Sequence, residues 1–431
     1  VRRRALLCTV LLTCGAAACR RDADSADAGA GAGTDQADDG DDDGNDGPLR
    51  LRFEEIDVPD DFTLVTKFRF LPGGGELLAL HKDGRVGHFR LEDAALERLG
   101  EFAVPEAYSD LDCGLLGLAL DPDFATNRLI YISTCASQTD SVVLRLTFDP
   151  LDLPATVASR VTIIGAGDPA APRPWHNVGE IGFDATGALW ALFGDKRVAS
   201  NGQAAGNDLS ALVRVIPNRD ATGSGSTPAP DNPWPDDPDR SPNVYAIGLR
   251  SPWTGLVDHL GRFWVGDVGS DAFEEVNLIS EPGQNLGWAG VEGPCEGDCG
   301  DAVDPVAWWA HEDITAYITD DDDVRATVAR VAWVGLEYRP GAAGDPYGGR
   351  LTDAVLFGDY CLGFVRALQV DAAGAIVRDE PLGHLAVPSG WDVGPGGFVY
   401  ASTFGRCETA GIDESDPPPS GLWRAVPADG D

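Results

Sequence analysis

The stretch PWHNVGEIGFDATGALWALFGD, residues 174–195, sets a histidine just ahead of an apolar strand and closes that strand with Phe193-Gly194-Asp195. His176 is one of six histidines in the chain, and Pro174 and Trp175 before it could fix its position. An imidazole titrates near neutrality, so a fixed one can serve as a general base. For an arbitrary histidine, filling a crowded turn would be the commoner role. Arg250, in GLRSPW, offers a permanent charge on a forked donor, which suits an oxygen that gains negative charge during a reaction. In a chain with 70 acidic residues it could equally form a surface ion pair. Asp112 stands beside Cys113, two residues ahead of the first glycine of GLLG, where a carboxylate could accept a ligand's hydrogen bond or cap a strand turn.

These side chains need a scaffold, and the sequence repeats one. FDATGALWALFGD has a parallel in VDHLGRFWVGDVG (257–269): Asp184 matches Asp258, Gly187 matches Gly261 and Trp190 matches Trp264. The segments 71–80, 370–377 and 393–405 repeat the turn around Gly75, Gly374 and Gly397. Each turn leads into an alternating or apolar strand, and helical periodicity is almost absent. Hairpins recurring every few tens of residues indicate an all-β chain, a six-bladed β-propeller of four-stranded antiparallel sheets. The Trp, Tyr and Phe residues of these strands are expected to pack between blades.

Composition and charge set the surroundings. The chain of 431 residues is 43% hydrophobic, enough for a large core. Arg2 to Arg4, the apolar stretch Ala5–Thr13 and GAAAC read as a lipoprotein signal over residues 1–18, with Cys19 as the lipidated residue. An ordinary secretory signal is the alternative, and both readings place the protein outside the cytoplasm, membrane contact being through the lipid anchor only. Residues 19–48, rich in Asp, Gly and Ala, read as a solvated tether; loose calcium binding to its Asp runs is the lesser alternative. The propeller then occupies 49–431. A net charge of −38 argues against a nucleic-acid partner, which requires clustered Lys and Arg. Six cysteines remain beyond Cys19, an even set that suggests three disulfides in an exported chain. Cys113 and Cys135 could face each other across a hairpin, Cys295 and Cys299 would close a small loop, and Cys361 with Cys407 is the pair left over. No nearby histidine or second CxxC supports zinc at these positions.

Five blocks in order carry a family resemblance: GLLGLALDPDFATNRLIYIS, HNVGEIGFDATGALWALFGD, DNPWPDDPDRSPNVYAIGLRSPW, GDVGSDAFEEVNLI with GQNLGWAGVEG, and LFGDYCLGFVRAL. Over roughly residues 60–424 the chain resembles the soluble glucose and sorbosone dehydrogenases, six-bladed quinoprotein sugar dehydrogenases that use pyrroloquinoline quinone and calcium. The resemblance implies that His176 takes the proton from a sugar's anomeric hydroxyl while hydride passes to the quinone. It implies Arg250 as a contact of the cofactor, with Asp112, Ser251 and Val268 at further cofactor positions. The family more often has Gln or Glu at the first of these, Asn at the second and, in its best-known members, Gln at the third. For calcium it implies the backbone carbonyls of Gly269 and Ser270, with Glu275 at an acidic position linked to the metal. A pocket lysine expected near LFGDYCLGF is missing from that block, and Glu180 is expected to add negative charge close to His176, favouring the imidazolium. The implied partners are a small-molecule sugar and an envelope electron acceptor. Two alternatives stand beside this reading. One is a catalytically silent propeller that binds saccharide or protein, since the propeller is also similar to that of Hedgehog-interacting protein. The other, less favoured, is a calcium-dependent lactonase, whose side-chain metal ligands have no evident cluster in this sequence.

Overall fold

The computed structural model describes residues 48–204, 206–220, 222–312, 330–342, 344–405, 407 and 420–428. The signal over 1–18 and all but the last residue of the tether lie outside these residues. Among the described residues the chain is built from strands, with two short α-helices, Phe124–Asn127 and Leu153–Ala158. The strands form six antiparallel sheets. Blade 1 comprises Val65–Phe70, Glu76–His81, Arg85–Glu92 and Ala95–Ala103; blade 2 comprises Leu115–Leu120, Leu129–Cys135, Asp140–Thr147 and Val161–Gly167. Blade 3 runs Val178–Phe183, Leu189–Phe193 and Ala211–Pro217, its outer edge shared by Ser226–Pro228 and Val244–Ile247. Blade 4 holds Pro252–Val257, Phe263–Asp267, Phe273–Ile279 and Ala307–Ala310; blade 5 holds Ala332–Tyr338, Ala354–Asp359, Phe364–Val370 and Ile376–His384. Blade 6 joins Pro388–Val393, Val399–Thr403 and Gly421–Pro427 to Leu51–Ile56 from the start of the propeller, with Leu51 opposite Pro427 and Ile56 opposite Leu422. This closure ties the two ends of the ring by backbone hydrogen bonds, so neither is left as an open sheet edge.

The first strand of each blade packs against the first strands of both neighbours, which makes these strands the inner ring. A buried ion cluster crosses the ring: Lys67 Nζ lies 2.5 Å from Glu180 Oε2, and Arg69 lies 2.9 Å from Glu180 Oε1. Burial lowers the Lys67 ammonium despite that carboxylate. Between the blades sits the aromatic packing that the strand patterns suggest; Trp333 stacks on Trp391 at 4.7 Å, and Trp264 and Trp309 are fully buried.

The repeated turns are one structure made several times. In blades 3, 4 and 5 the N–H of Asp184, Asp258 and Asp371 donates to the carbonyl four residues on, at 3.0, 2.9 and 2.9 Å. Gly187, Gly261 and Gly374 have φ of 82°, 83° and 85°, where any side chain would be strained. All three expected cysteine pairs are disulfides, with Cα separations of 5.5 Å (Cys113–Cys135), 6.1 Å (Cys295–Cys299) and 5.2 Å (Cys361–Cys407). They accord with an oxidising compartment. No helix among the described residues is long and apolar enough to cross a membrane.

Candidate functional site

The loops leading into the inner strands converge at one end of the ring, here the upper face, around a cavity of about 350 Å³. Asp112, His176, Arg250, Ser251 and Val268 all line it. They come from blades 2, 3 and 4, so the fold unites residues that the sequence spreads over more than 150 positions. Gly269, Ser270 and Glu275 are outside the lining.

His176 has φ of 51°, an uncommon conformation for a residue with a side chain, and other groups hold it there. Its Nδ1 is 2.6 Å from Asp195 Oδ1, and its backbone N–H points to Asp112 Oδ2 at 3.4 Å. Asp195 also accepts from Trp288 Nε1 at 2.8 Å and from the Arg197 N–H at 2.6 Å. The glycine of Phe193-Gly194-Asp195 permits this approach: a Cβ on Gly194 would fall 2.4 Å from the His176 carbonyl oxygen. With a carboxylate accepting at Nδ1, the neutral ring carries its proton there and Nε2 is left as the basic nitrogen for the cavity.

Arg250 is positioned through its backbone. Asp267 accepts from the N–H groups of Arg250 and Ser251 at 2.8 and 2.6 Å, and the Asp195 N–H donates to the Arg250 carbonyl at 2.9 Å. The guanidinium donates to the Val268 carbonyl at 2.8 Å and lies 5.3 Å over the Trp288 ring. The Val268 carbonyl thus helps position Arg250. Asp112 is exposed at the cavity, yet the protein around it still desolvates its carboxyl and pushes it up, partly offset by His176, Lys82 and Arg250.

Three expectations change in the structure. The carboxylate that His176 meets is Asp195, while Glu180 is turned into the ring and paired with Lys67 and Arg69. The cavity does have a lysine, but it comes from blade 1: Lys82 is 5% exposed and lines the wall. Gly114 makes room for it, since a Cβ there would lie 2.7 Å from Lys82 Cγ. The block LFGDYCLGF supplies Tyr360 to the wall, and its nearest described cation, Arg366, pairs with Asp379 at 2.8 Å. Some aromatic residues assigned to packing, Trp253, Tyr360 and Phe404, also form the cavity wall. A signal for Asp195 was present in the sequence: Gly194-Asp195 directly follows a second strand, Gly266-Asp267 and Gly358-Asp359 each end one, and each aspartate anchors an upper loop.

Behind the cavity wall, Asp267 and Glu275 are direct partners across paired strands. Burial, and then the Glu275 charge, push Asp267 well above the usual carboxylate range; burial likewise raises Glu275 to about 6. Glu275 accepts from Asn277 Nδ2 and the Gly293 N–H, while buried Asn277 Oδ1 has no partner. The Gly269–Phe273 turn is clasped by Glu292, whose Oε1 accepts from the N–H groups of Ser270, Asp271, Ala272 and Phe273 at 2.7–3.2 Å.

Six antiparallel sheets closed into a ring are the fold that the five sequence blocks imply. The chain belongs to the glucose/sorbosone dehydrogenase family, whose model matches residues 63–309, more than half of its length. Among curated relatives it is 27% identical over 241 residues to the HIPL1 protein of Arabidopsis thaliana, covering 44% of this chain and 34% of that protein. It is 24% identical over 221 residues to the aldose sugar dehydrogenase YliI of Escherichia coli strain K12, covering 51% of this chain and 57% of that one. The chain thus spans a third to somewhat over half of the length of these relatives. Two solved structures share the fold. The PQQ-bound aldose sugar dehydrogenase of Streptomyces coelicolor has a TM-score of 0.63 and 19% identity, covering 88% of this chain and 99% of that one. The soluble aldose sugar dehydrogenase of Escherichia coli, in its apo form, has 0.64 and 18%, covering 88% and 100%.

Proposed function

We propose that the protein oxidises an aldose or a related sugar aldehyde with pyrroloquinoline quinone as its cofactor. The observation that carries this is the His176–Asp195 pair, which leaves Nε2 to a cavity also lined by Arg250 and Lys82. The lining suits a flat anionic cofactor: the cavity volume is within the range of small-molecule sites, its walls are largely apolar, and Arg250 and Lys82 would offer cations to its carboxylates or a quinone oxygen. When bound, the quinone would supply the hydride acceptor.

The chain's own residues account for the remainder. His176 Nε2 takes the proton of the sugar hydroxyl, and Asp195 holds the ring and stabilises the imidazolium that forms. Arg250, fixed by Asp267 and the Val268 carbonyl, faces developing negative charge. Lys82 supplies the second cation, and Asp112 accepts a hydrogen bond from cofactor or substrate. Calcium would be held near Gly269, Ser270 and Glu275, where two adjacent buried carboxylates and the orphan Asn277 oxygen suit a hard cation. We further propose an exported, Cys19-anchored protein that passes electrons to an envelope acceptor; release of Cys19→Ser from membranes tests the anchor.

A catalytically silent propeller that binds saccharide or a protein is the second reading, favoured by the loss of amide side chains at Ser251 and Val268. One experiment separates the two: reconstitution with calcium and the quinone, followed by an aldose panel while the cofactor spectrum is recorded. Bleaching supports the dehydrogenase; sugar binding without reduction supports the silent propeller. His176→Gln should retain cofactor binding and lower turnover by about 100-fold or more.

A further inference from the structure

We propose that the face opposite the cavity carries a site for a zinc-class divalent cation, formed by His259, Glu337 and Asp353 across the boundary of blades 4 and 5. One ligand atom from each of the three lies within 4.8 Å of the others. They surround a second cavity of about 170 Å³, whose wall also includes Gln369 and Trp264. The inner strand of blade 4 pairs Pro252 with Asp267 at the upper end and Val257 with Phe263 at the lower, so the turn bearing His259 is at the far end from the first cavity.

The fold itself does not call for these residues. His259 is the second residue of the repeated turn, where blades 3 and 5 have Ala185 and Ala372 with the same backbone bonds. Glu337 lies opposite Val355, one residue in from the lower end of the pairing; the equivalent residues of blades 3 and 4, opposite Trp190 and Trp264, are Gly182 and Leu256. Asp353, at φ of 61°, is held by its N–H to the Tyr338 carbonyl at 2.9 Å.

The three side chains are already oriented toward one another. His259 Nδ1 is 2.6 Å from Glu337 Oε1, whose other oxygen accepts the His259 N–H at 2.9 Å. Arg339 pairs with Asp353 at 2.6 Å, and Arg262 is committed to Asp258 at 2.8 Å. With a neutral imidazole, the three ligands and Arg339 leave one net negative charge. One nitrogen and two oxygens form a donor set for zinc or a neighbouring transition metal; calcium would prefer oxygen throughout and in greater number. A cation there would add to the hydrogen bonds that His259 and Arg262 already make across the two blades.

The test is a titration of the full-length, chelator-stripped protein with zinc chloride, with calcium held in excess to fill any oxygen-only site. The expected result is one zinc per chain, a rise in melting temperature, and a loss of affinity of at least 10-fold in both His259→Ala and Glu337→Gln. Cobalt(II) substitution gives an independent reading on the unmutated protein, with visible bands of a nitrogen–oxygen site expected. Absence of both zinc uptake and cobalt bands would overturn the proposal. So would zinc binding of equal strength in the variants, which would assign it to the Asp-rich segment instead.

Discussion

The two ends of the same strands use aspartate in opposite ways. At the lower turns, burial alone would raise Asp184 and Asp258, but hydrogen bonds outweigh it and hold both below the usual carboxylate range. Their partners are mostly local: Thr186 and Ala188 for the first, Leu260, Arg262 and Trp264 for the second, with Arg214 added from the third strand of blade 3. At the upper end, Asp195, Asp267 and Asp359 reach distant chain: Trp288, the Arg250–Ser251 backbone, and Trp309 with Val331. Burial, followed by a neighbouring Glu274, pushes Asp359 up to about 7. The lower set closes hairpins, and the upper set holds loops over a cavity, Asp267 and Asp359 at a cost in charge burial. Strain and unfavourable electrostatics gather where ligands bind.

The largest expected difference comes from breaking one member of each set. Asp184→Ala strips Arg214, which is 3% exposed, of a partner at 2.6 Å and leaves the turn N–H groups unmet. Arg214 keeps Asp231 at 2.9 Å, so the loss of these charge-assisted hydrogen bonds should lower unfolding free energy by roughly 2–3 kcal/mol, read by urea denaturation, with the remaining folded protein fully active. Asp195→Asn should do the reverse, lowering turnover ~10- to 100-fold while stability stays near that of the unmutated protein. If Asp195→Asn unfolds the protein and Asp184→Ala does not, the division between the ends is wrong.

A smaller effect is expected from pH alone. Asp359 is raised in the folded state, so between its unfolded value near 3.9 and about 7 the folded chain binds the extra proton. Stability should therefore fall as pH rises through that window and level off above it. Asp184 and Asp258 are lowered, so their contribution is present above the unfolded value and is lost on acidification below it. The Asp359 share of this is a loss on the order of 2 kcal/mol between pH 5 and pH 7.5, which should be missing from Asp359→Asn. The same change of urea midpoint with pH in Asp359→Asn as in the unmutated protein would contradict the raised carboxyl at Asp359.

The same division explains what the sequence could reveal. The lower turns are local, so the Asp–Gly spacing and the following strand are readable from a dozen residues, and with them the hairpins and the blade repeat. His176 and Arg250 could be found from blocks that span their own loops. Asp195 was visible only as the end of a strand, because its role depends on His176 turning back and on Trp288, 93 residues away. Lys82 left no sign at all: its place in the wall depends on Gly114 in the next blade. Glu180 misled for the same reason, since its partners Lys67 and Arg69 are on an inner strand more than 100 residues earlier.

The smallest effect should come from the shortest covalent closure. Cys295 and Cys299 are only four residues apart, so their bridge removes little entropy from the unfolded chain, and its loss should cost ~1–2 kcal/mol. The bridge between Cys361 and Cys407 spans 46 residues, for which the same reasoning gives about 4 kcal/mol. Hydrogen bonds further reduce the need for the short bridge: Cys295 N–H to Asp304 at 2.7 Å, Asn285 to Asp301 at 3.0 Å, and Val303 N–H to the Asn285 carbonyl at 2.8 Å. The Cys295→Ser, Cys299→Ser double variant should therefore keep Trp288 on Asp195 and leave turnover unchanged, with only a slightly lower urea midpoint. A drop equal to that of the Cys361→Ser, Cys407→Ser variant, or a loss of turnover, would mean that the upper loops depend on covalent closure and not on the long-range carboxylates.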